Sequence, residues 1–209
     1  MFKIHPKYLF KIVKPIQQQL KRTKFLELYE ESQIQNRIRF CCDKGKMEEA
    51  EYNFEKLPKD FRNVVVYNQM INGFCKLNQI ENALKYFEKM KNENVSPNVY
   101  TFTTIIDYFC KSGEIKIAEE WYQKMKQFNI EPNVTTFNSM INGYCKLNQM
   151  NKAEQLFDEM IKLNIKPDII TYTTLLNGYI SIRNFEKANQ VLSKMIQEKM
   201  VNVVTCNSV

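Results

Sequence analysis

The chain has 209 residues, 44% of them hydrophobic, which supplies a core for one compact domain or a short solenoid. No stretch approaches the roughly 18 uninterrupted apolar residues of a membrane span, so no membrane partner is expected. The net charge of +7 is localised: residues 1–26 hold Lys3, Lys7, Lys11, Lys14, Lys21, Arg22 and Lys24 and no acid, leaving a formally neutral remainder, so the total alone is weak support for a nucleic-acid partner.

The basic leader, residues 1–30, fits a mitochondrial or plastid targeting segment, although before residue 27 it holds a single Arg and no Ser. The alternative is a basic first helix that caps the rest of the chain. No secretory apolar region with a cleavage site is visible, and reduced thiols are expected.

From residue 31 the chain repeats itself. A short degenerate unit spans 31–63, where Cys42-Asp-Lys-Gly45-Lys-Met-Glu-Glu-Ala50 matches Cys75 to Ala83 of the next unit. Fuller units follow at 64–98, 99–133, 134–168 and 169–202. Three ladders fix a 35-residue period: Ala83, Ala118, Ala153 and Ala188; Met90, Met125, Met160 and Met195; Pro97, Pro132 and Pro167. The last unit is one residue short and lacks the proline, and residues 203–209 open a further unit without its body.

Each unit reads as two helices. Tyr67, Met70, Ile71 and Phe74 share one face of a first helix; Ile80, Ala83, Leu84, Phe87 and Met90 share one face of a second. Gly45, Asn78, Gly113 or Asn148 sits between them, and both residue types tolerate the left-handed conformation that ends a helix. The prolines are expected to close each unit and to suit the first turn of the next. Of the six cysteines, Cys75, Cys110 and Cys145 share the period and read as small buried hydrophobes. No C-x-x-C pair exists, and neither a metal site nor a cofactor is expected. One hairpin cannot bury its own apolar face, but stacked hairpins can. The expected fold is all-α: an α-solenoid of stacked antiparallel helix-turn-helix repeats with an inner groove lined by first helices.

First helices read V-x-Y-N-x-M-I-N-G-F-C-K, and units end in E-x-M-x-x-x-x-(I/V)-x-P-(N/D). Tetratricopeptide repeats share the alanine and the aromatic four residues later, as in Ala83 with Phe87 and Ala153 with Phe157, but their Trp/Leu-Gly pattern is missing. Over about residues 31–209 the sequence resembles the pentatricopeptide repeat in its 35-residue form, and Phe54-Glu-Lys-Leu-Pro58 resembles its shorter variants. The resemblance implies a right-handed superhelix that binds single-stranded RNA, one nucleotide per unit.

It also implies residue roles. The base-edge readers are the fifth and last residues of each unit: Asn68 with Asn98, Thr103 with Asn133, Asn138 with Asp168, and Thr173 with Asn202. The alternative for such small polar residues is helix capping. The family's pattern assigns C over U to Asn with Asn, A to Thr with Asn, and U to Asn with Asp, giving 5′-(C/U)-A-U-A-3′. Gln35 and Asn63 occupy these places in the degenerate unit, and Gln departs from the pattern. The base-clamping residues are Val65, Tyr100, Thr135 and Ile170, where the family usually has Val. Lys76, Lys111 and Lys146 are the phosphate contacts, with Ser181 breaking that ladder; compensation of the helix dipole is their alternative role.

The only histidine, His5, lies in the leader, which leaves no histidine-based triad or zinc deaminase centre. Acids interleaved with lysines on second helices read as a solvated face. No enzyme is expected. The leading expectation is an RNA binder acting in organellar RNA stability, processing or translation. The competitors are a helical-repeat scaffold subunit, for example of an organellar ribosome, and a fragment of a longer array.

Overall fold

A computed structural model describes residues 28–198. Among the described residues there are ten α-helices and no strand. Helix α1 occupies 28–43 and α2 Met47–Lys56, followed by a short 3-10 turn at Lys59–Phe61. Then come α3 (Val64–Lys76), α4 (Ile80–Asn92), α5 (Val99–Ser112), α6 (Ile115–Gln127), α7 (Val134–Lys146), α8 (Met150–Lys162), α9 (Ile169–Ser181) and α10 (Phe185–Gln197). Most of the basic leader lies outside the described residues, as do Asn202 and residues 203–209. Residues 28–30 belong to α1, which runs without a break through residue 31.

Local chemistry sets each boundary. Asn63, Asn98, Asn133 and Asp168 cap α3, α5, α7 and α9, each with a side-chain oxygen accepting a backbone N–H of the first turn. Three of these caps are reciprocal, because Thr101, Thr136 and Thr171 accept the cap residue's own N–H. At α3 the same place holds Val66, and the cap works in one direction only. Within each hairpin the chain reverses through one left-handed residue: Gly45 (φ 71), Asn78 (φ 57), Gly113 (φ 84), Asn148 (φ 56) or Arg183 (φ 58).

The prolines do not take the place expected of them. Asn94, Asn129 and Asn164 adopt positive φ just after the second helices, and the N–H groups of Val95, Ile130 and Ile165 return to the carbonyls of Met90, Met125 and Met160. These asparagine turns stop the second helices before the proline is reached. Pro97, Pro132 and Pro167 fall immediately before the caps, outside any helix, where proline holds its predecessor extended.

Hairpins pair α3 with α4, α5 with α6, α7 with α8 and α9 with α10, and the first helices stack on one another as a continuous row. That closely packed row takes the inside of the solenoid. The laddered Ala83, Ala118 and Ala153 and Met90, Met125 and Met160 are fully buried. Gly73, Gly143 and Gly178 let each first helix approach the hairpin before it: a Cβ there would lie 2.6 Å from Met47 Sδ, 2.8 Å from Ile115 Cδ1 and 2.7 Å from Met150 Sδ. In α5 this place holds Tyr108, and α3 packs less closely on α5 than α5 on α7 or α7 on α9. Polar rungs reinforce the later junctions: Glu119 accepts from Tyr144 and Lys152, and one period on Glu154 accepts from Tyr179 and Lys187. One period earlier the same places hold Leu84, Phe109 and Ile117, all apolar.

Candidate nucleic-acid interface

The fifth residue of a first helix stands beside the cap of the next first helix. Asn68 Nδ2 donates to Asn98 Oδ1 at 3.1 Å, and Thr101 Oγ1 donates to Asn68 Oδ1 at 2.6 Å. Asn138 Nδ2 donates to Asp168 Oδ1 at 3.0 Å, and Thr171 Oγ1 to Asn138 Oδ1 at 2.6 Å. Thr103 reaches its partner through Thr136: the two hydroxyls are 2.7 Å apart, and Thr136 Oγ1 donates to Asn133 Oδ1 at 3.0 Å. Three sequence-predicted pairs are thus brought together. For the fourth, Thr173 donates to the Ile169 carbonyl of its own helix, and its partner Asn202 lies outside the described residues. In the degenerate unit Gln35 Nε2 donates to the Phe61 carbonyl, not to Asn63. Capping, the alternative for these residues, does occur at Asn98, Asn133 and Asp168.

Capping uses only one of the two polar atoms at each of these side chains. In Asn98 the Oδ1 is the capping atom, and Nδ2 has no protein partner among the described residues. In Asp168 the Oδ1 accepts from the Thr171 N–H and Asn138 Nδ2 and competes at 2.9 Å for the Thr171 hydroxyl proton, whose shorter contact is Asn138 Oδ1, while Oδ2 has no hydrogen bond of its own among the described residues. Burial pushes the Asp168 carboxyl up, but these hydrogen bonds more than reverse it and hold it below the usual Asp value. At neutral pH this side chain therefore offers only acceptors.

Val65, Tyr100 and Ile170 are large apolar side chains more than half exposed at helix starts, and Thr135 is exposed in the same row. Val65 and Tyr100 line one cavity of about 410 Å³ together with Asn68 and Asn98. Two predicted clamps and one complete predicted edge-reading pair therefore face the same space, as a slot for one planar base requires. Arg39, Cys42, Asp43, Gln69 and Asn72 complete the lining, and the sequence did not single them out as site residues. A signal was available: Asn72, Asp107, Asn142 and Asn177 recur at the 35-residue period, and Arg39 holds that place in the degenerate unit.

Lys76, Lys111 and Lys146 are exposed in the last turns of α3, α5 and α7. Lys76 and Lys111 share a second cavity of about 370 Å³ with Thr104, Asp107 and Tyr108. Lys111 Nζ is paired with Asp107 at 2.6 Å, so one predicted phosphate contact is already partly engaged. Asp107 also accepts the Ser139 hydroxyl from α7 at 2.9 Å. Ser181, which breaks the ladder, donates to the Gly178 carbonyl.

Burial pushes the thiols of Cys42, Cys75, Cys110 and Cys145 up to about 12, which suits packing and not nucleophilic chemistry. Among the described residues no helix is long and apolar enough to cross a membrane, and no group of three or more His, Cys, Asp or Glu is placed to hold a metal ion.

The PPR repeat family model matches residues 62–110, 101–146 and 132–181, and a PPR repeat model matches 170–200. Two chloroplastic pentatricopeptide repeat-containing proteins of Arabidopsis thaliana are 35% identical over 74 residues and 34% identical over 61. Those stretches are 35% and 29% of this chain but 9% and 8% of the relatives, so the chain matches a small part of their length. Among solved structures, the maize pentatricopeptide repeat protein PPR10 superposes with a TM-score of 0.72 at 24% identity, over 84% of this chain and 26% of that one. PPR10 in complex with an 18-nt psaJ RNA element gives 0.71 at the same identity and coverage. The PPR domain of Arabidopsis thaliana protein-only RNase P 1 in complex with tRNA gives 0.67 at 21% identity, over 85% of this chain and 95% of that one. At these identities the superpositions establish the helical-repeat solenoid. The family matches go further, running from residue 62 to residue 200, and the chain belongs to the pentatricopeptide repeat family.

Proposed function

We propose that the chain binds single-stranded RNA along the row of first helices, one base per unit, with the preference 5′-(C/U)-A-U-A-3′, in the service of organellar RNA stability, processing or translation. The observation that carries this reading is the slot between Val65 and Tyr100, which Asn68 and Asn98 also line. Apolar side chains sandwich a base face, and the polar pair meets its edge. Free Nδ2 on Asn98 is a donor suited to the N3 acceptor of cytosine; free Oδ2 on Asp168 is an acceptor suited to the N3–H of uracil. Two structural relatives support the same ligand class, PPR10 with its psaJ RNA element and the PPR domain of protein-only RNase P 1 with tRNA. The chloroplastic names of the curated relatives favour a plastid over a mitochondrion.

Stacking is worth roughly 1–3 kcal/mol per base, and ordering a flexible RNA offsets part of it, so few units give modest, salt-sensitive affinity. The test is fluorescence anisotropy with RNA 12-mers holding CAUA or a scrambled core, at two salt concentrations. Tighter binding of CAUA is expected. Equal and strongly salt-dependent binding would remove the base-reading assignment, and no binding would favour the scaffold role.

A further inference from the structure

The first three candidate base-reading pairs each lean on a third side chain that the pair alone does not explain. Thr101, Thr136 and Thr171 are fully buried polar residues at the third place of α5, α7 and α9. A threonine hydroxyl has one proton and can accept. Thr101 Oγ1 accepts the Asn98 N–H at 3.1 Å, and its own proton has two acceptors in reach, Asn68 Oδ1 at 2.6 Å and Asn98 Oδ1 at 3.1 Å, of which the Asn68 contact is the shorter. Thr171 repeats this with the Asp168 N–H at 3.2 Å and Asn138 Oδ1 at 2.6 Å.

The consequence is a fixed amide. Two contacts select the same orientation: the hydroxyl gives its shortest hydrogen bond to the oxygen of Asn68 or Asn138, and the cap oxygen of Asn98 or Asp168 accepts from the nitrogen. Nδ2 is then directed to the oxygen of the last-place partner, which leaves one Nδ2 hydrogen of the fifth residue for a ligand. The last-place side chain is fixed in turn, since the N–H of Thr101 or Thr171 also demands an oxygen. A flipped amide would set its oxygen against the cap oxygen and lose the short hydroxyl bond, at the cost of unmade hydrogen bonds at a buried site.

We propose that Thr101 and Thr171 are specificity-determining positioning residues, whose hydroxyls fix which polar atoms the preceding unit's pair turns to the RNA base. The inference rests on the one-base-per-unit reading. Thr136 acts on Thr103 through a hydroxyl–hydroxyl contact in which either oxygen can donate, so that pair is held less strictly. The fold tolerates an apolar residue at this place, because α3 carries buried Val66 there and still forms behind the Asn63 cap.

The experiment compares wild type, Thr171→Val, which is nearly isosteric but has no hydroxyl, and Thr171→Ser, which restores it. One readout is the hydrogen exchange of the Asn138 side-chain amide by NMR in the free protein. The other is the Kd ratio for RNAs with U or C at the third predicted base. Thr171→Val is expected to speed amide exchange and to cut a U-over-C preference of about tenfold to below about threefold, while Thr171→Ser keeps both near wild type. Unchanged amide exchange in Thr171→Val overturns the inference in the free protein. A preserved U preference in that variant overturns it in the complex, with the one-base-per-unit reading intact. A wild-type chain with no U-over-C preference overturns that reading and this inference together.

Discussion

Asn98 and Asp168 hold the same backbone position and make the same cap, yet turn opposite chemistry outward. The cap consumes an oxygen in both, so the remainder is an amide in one and a carboxylate oxygen in the other. Asp168→Asn is therefore expected to move the third-base preference from U toward C, and Asn138→Thr with Asp168→Asn to move it to A, measured as Kd ratios over the four bases at that position. On the proposed RNA-binding reading, Asp107 would work against the ligand, because it lines the cavity that holds Lys76 and Lys111. It pairs with Lys111, and it stands where α3, α7 and α9 carry neutral Asn72, Asn142 and Asn177. Asp107→Asn is expected to tighten RNA binding by roughly twofold to fivefold at low salt, the scale of one exposed ion pair, with a smaller gain at high salt. The proposed readers and clamps could be placed on the sequence because a family pattern assigns them to numbered places. The threonines and Asp107 were not, since neither a buried hydroxyl nor an ion pair leaves a trace in periodicity.

At the scale of the helix and its neighbours, the three close-approach glycines, Gly73, Gly143 and Gly178, decide the packing. Gly143 lies where a Cβ would come 2.8 Å from Ile115 Cδ1 and 3.0 Å from Cys110 Cβ. Gly143→Ala gains helix propensity and loses more through overpacking. A net loss of about 1–2 kcal/mol is expected, read from the urea midpoint. The helices themselves were legible, since three ladders in phase leave one solution for which faces are buried. The ends of the second helices were misplaced because proline is a conspicuous breaker and asparagine is not. Asn94, Asn129 and Asn164 also stand one period apart, but an asparagine signals a turn, a cap or a solvated surface with equal ease.

Across the whole molecule, the carboxylate rungs make stability depend on pH. Burial pushes the Glu119 and Glu154 carboxyls up, and hydrogen bonds from Lys152 with Tyr144 and from Lys187 with Tyr179 reverse this, holding both below the usual Glu value. A depressed carboxyl contributes stability that is full above its unfolded value and is lost as pH falls through its folded value. Glu119→Gln is therefore expected to lower stability at neutral pH by under about 1 kcal/mol, because the pair is partly exposed, and to converge with wild type in acid. Urea midpoints measured down to about pH 3 would show the two curves meeting.

A stack of equal steps is a ruler, and this one has an uneven graduation. Between α3 and α5 a tyrosine replaces the close-approach glycine, the Glu–Tyr–Lys rung is absent, and a cavity of about 370 Å³ opens beside Lys76 and Lys111. On the proposed reading, the first letter's slot, between Val65 and Tyr100, sits at the junction with slack, and a spare nucleotide beside that letter has somewhere to go. One nucleotide inserted there in CAUA is expected to weaken binding by less than about threefold, while the same insertion between the second and third letters costs about tenfold or more, the worth of a stacked base. If that outcome holds, a target search with a fixed four-letter word would miss RNAs that fit the proposed reader with a spare nucleotide beside the first letter.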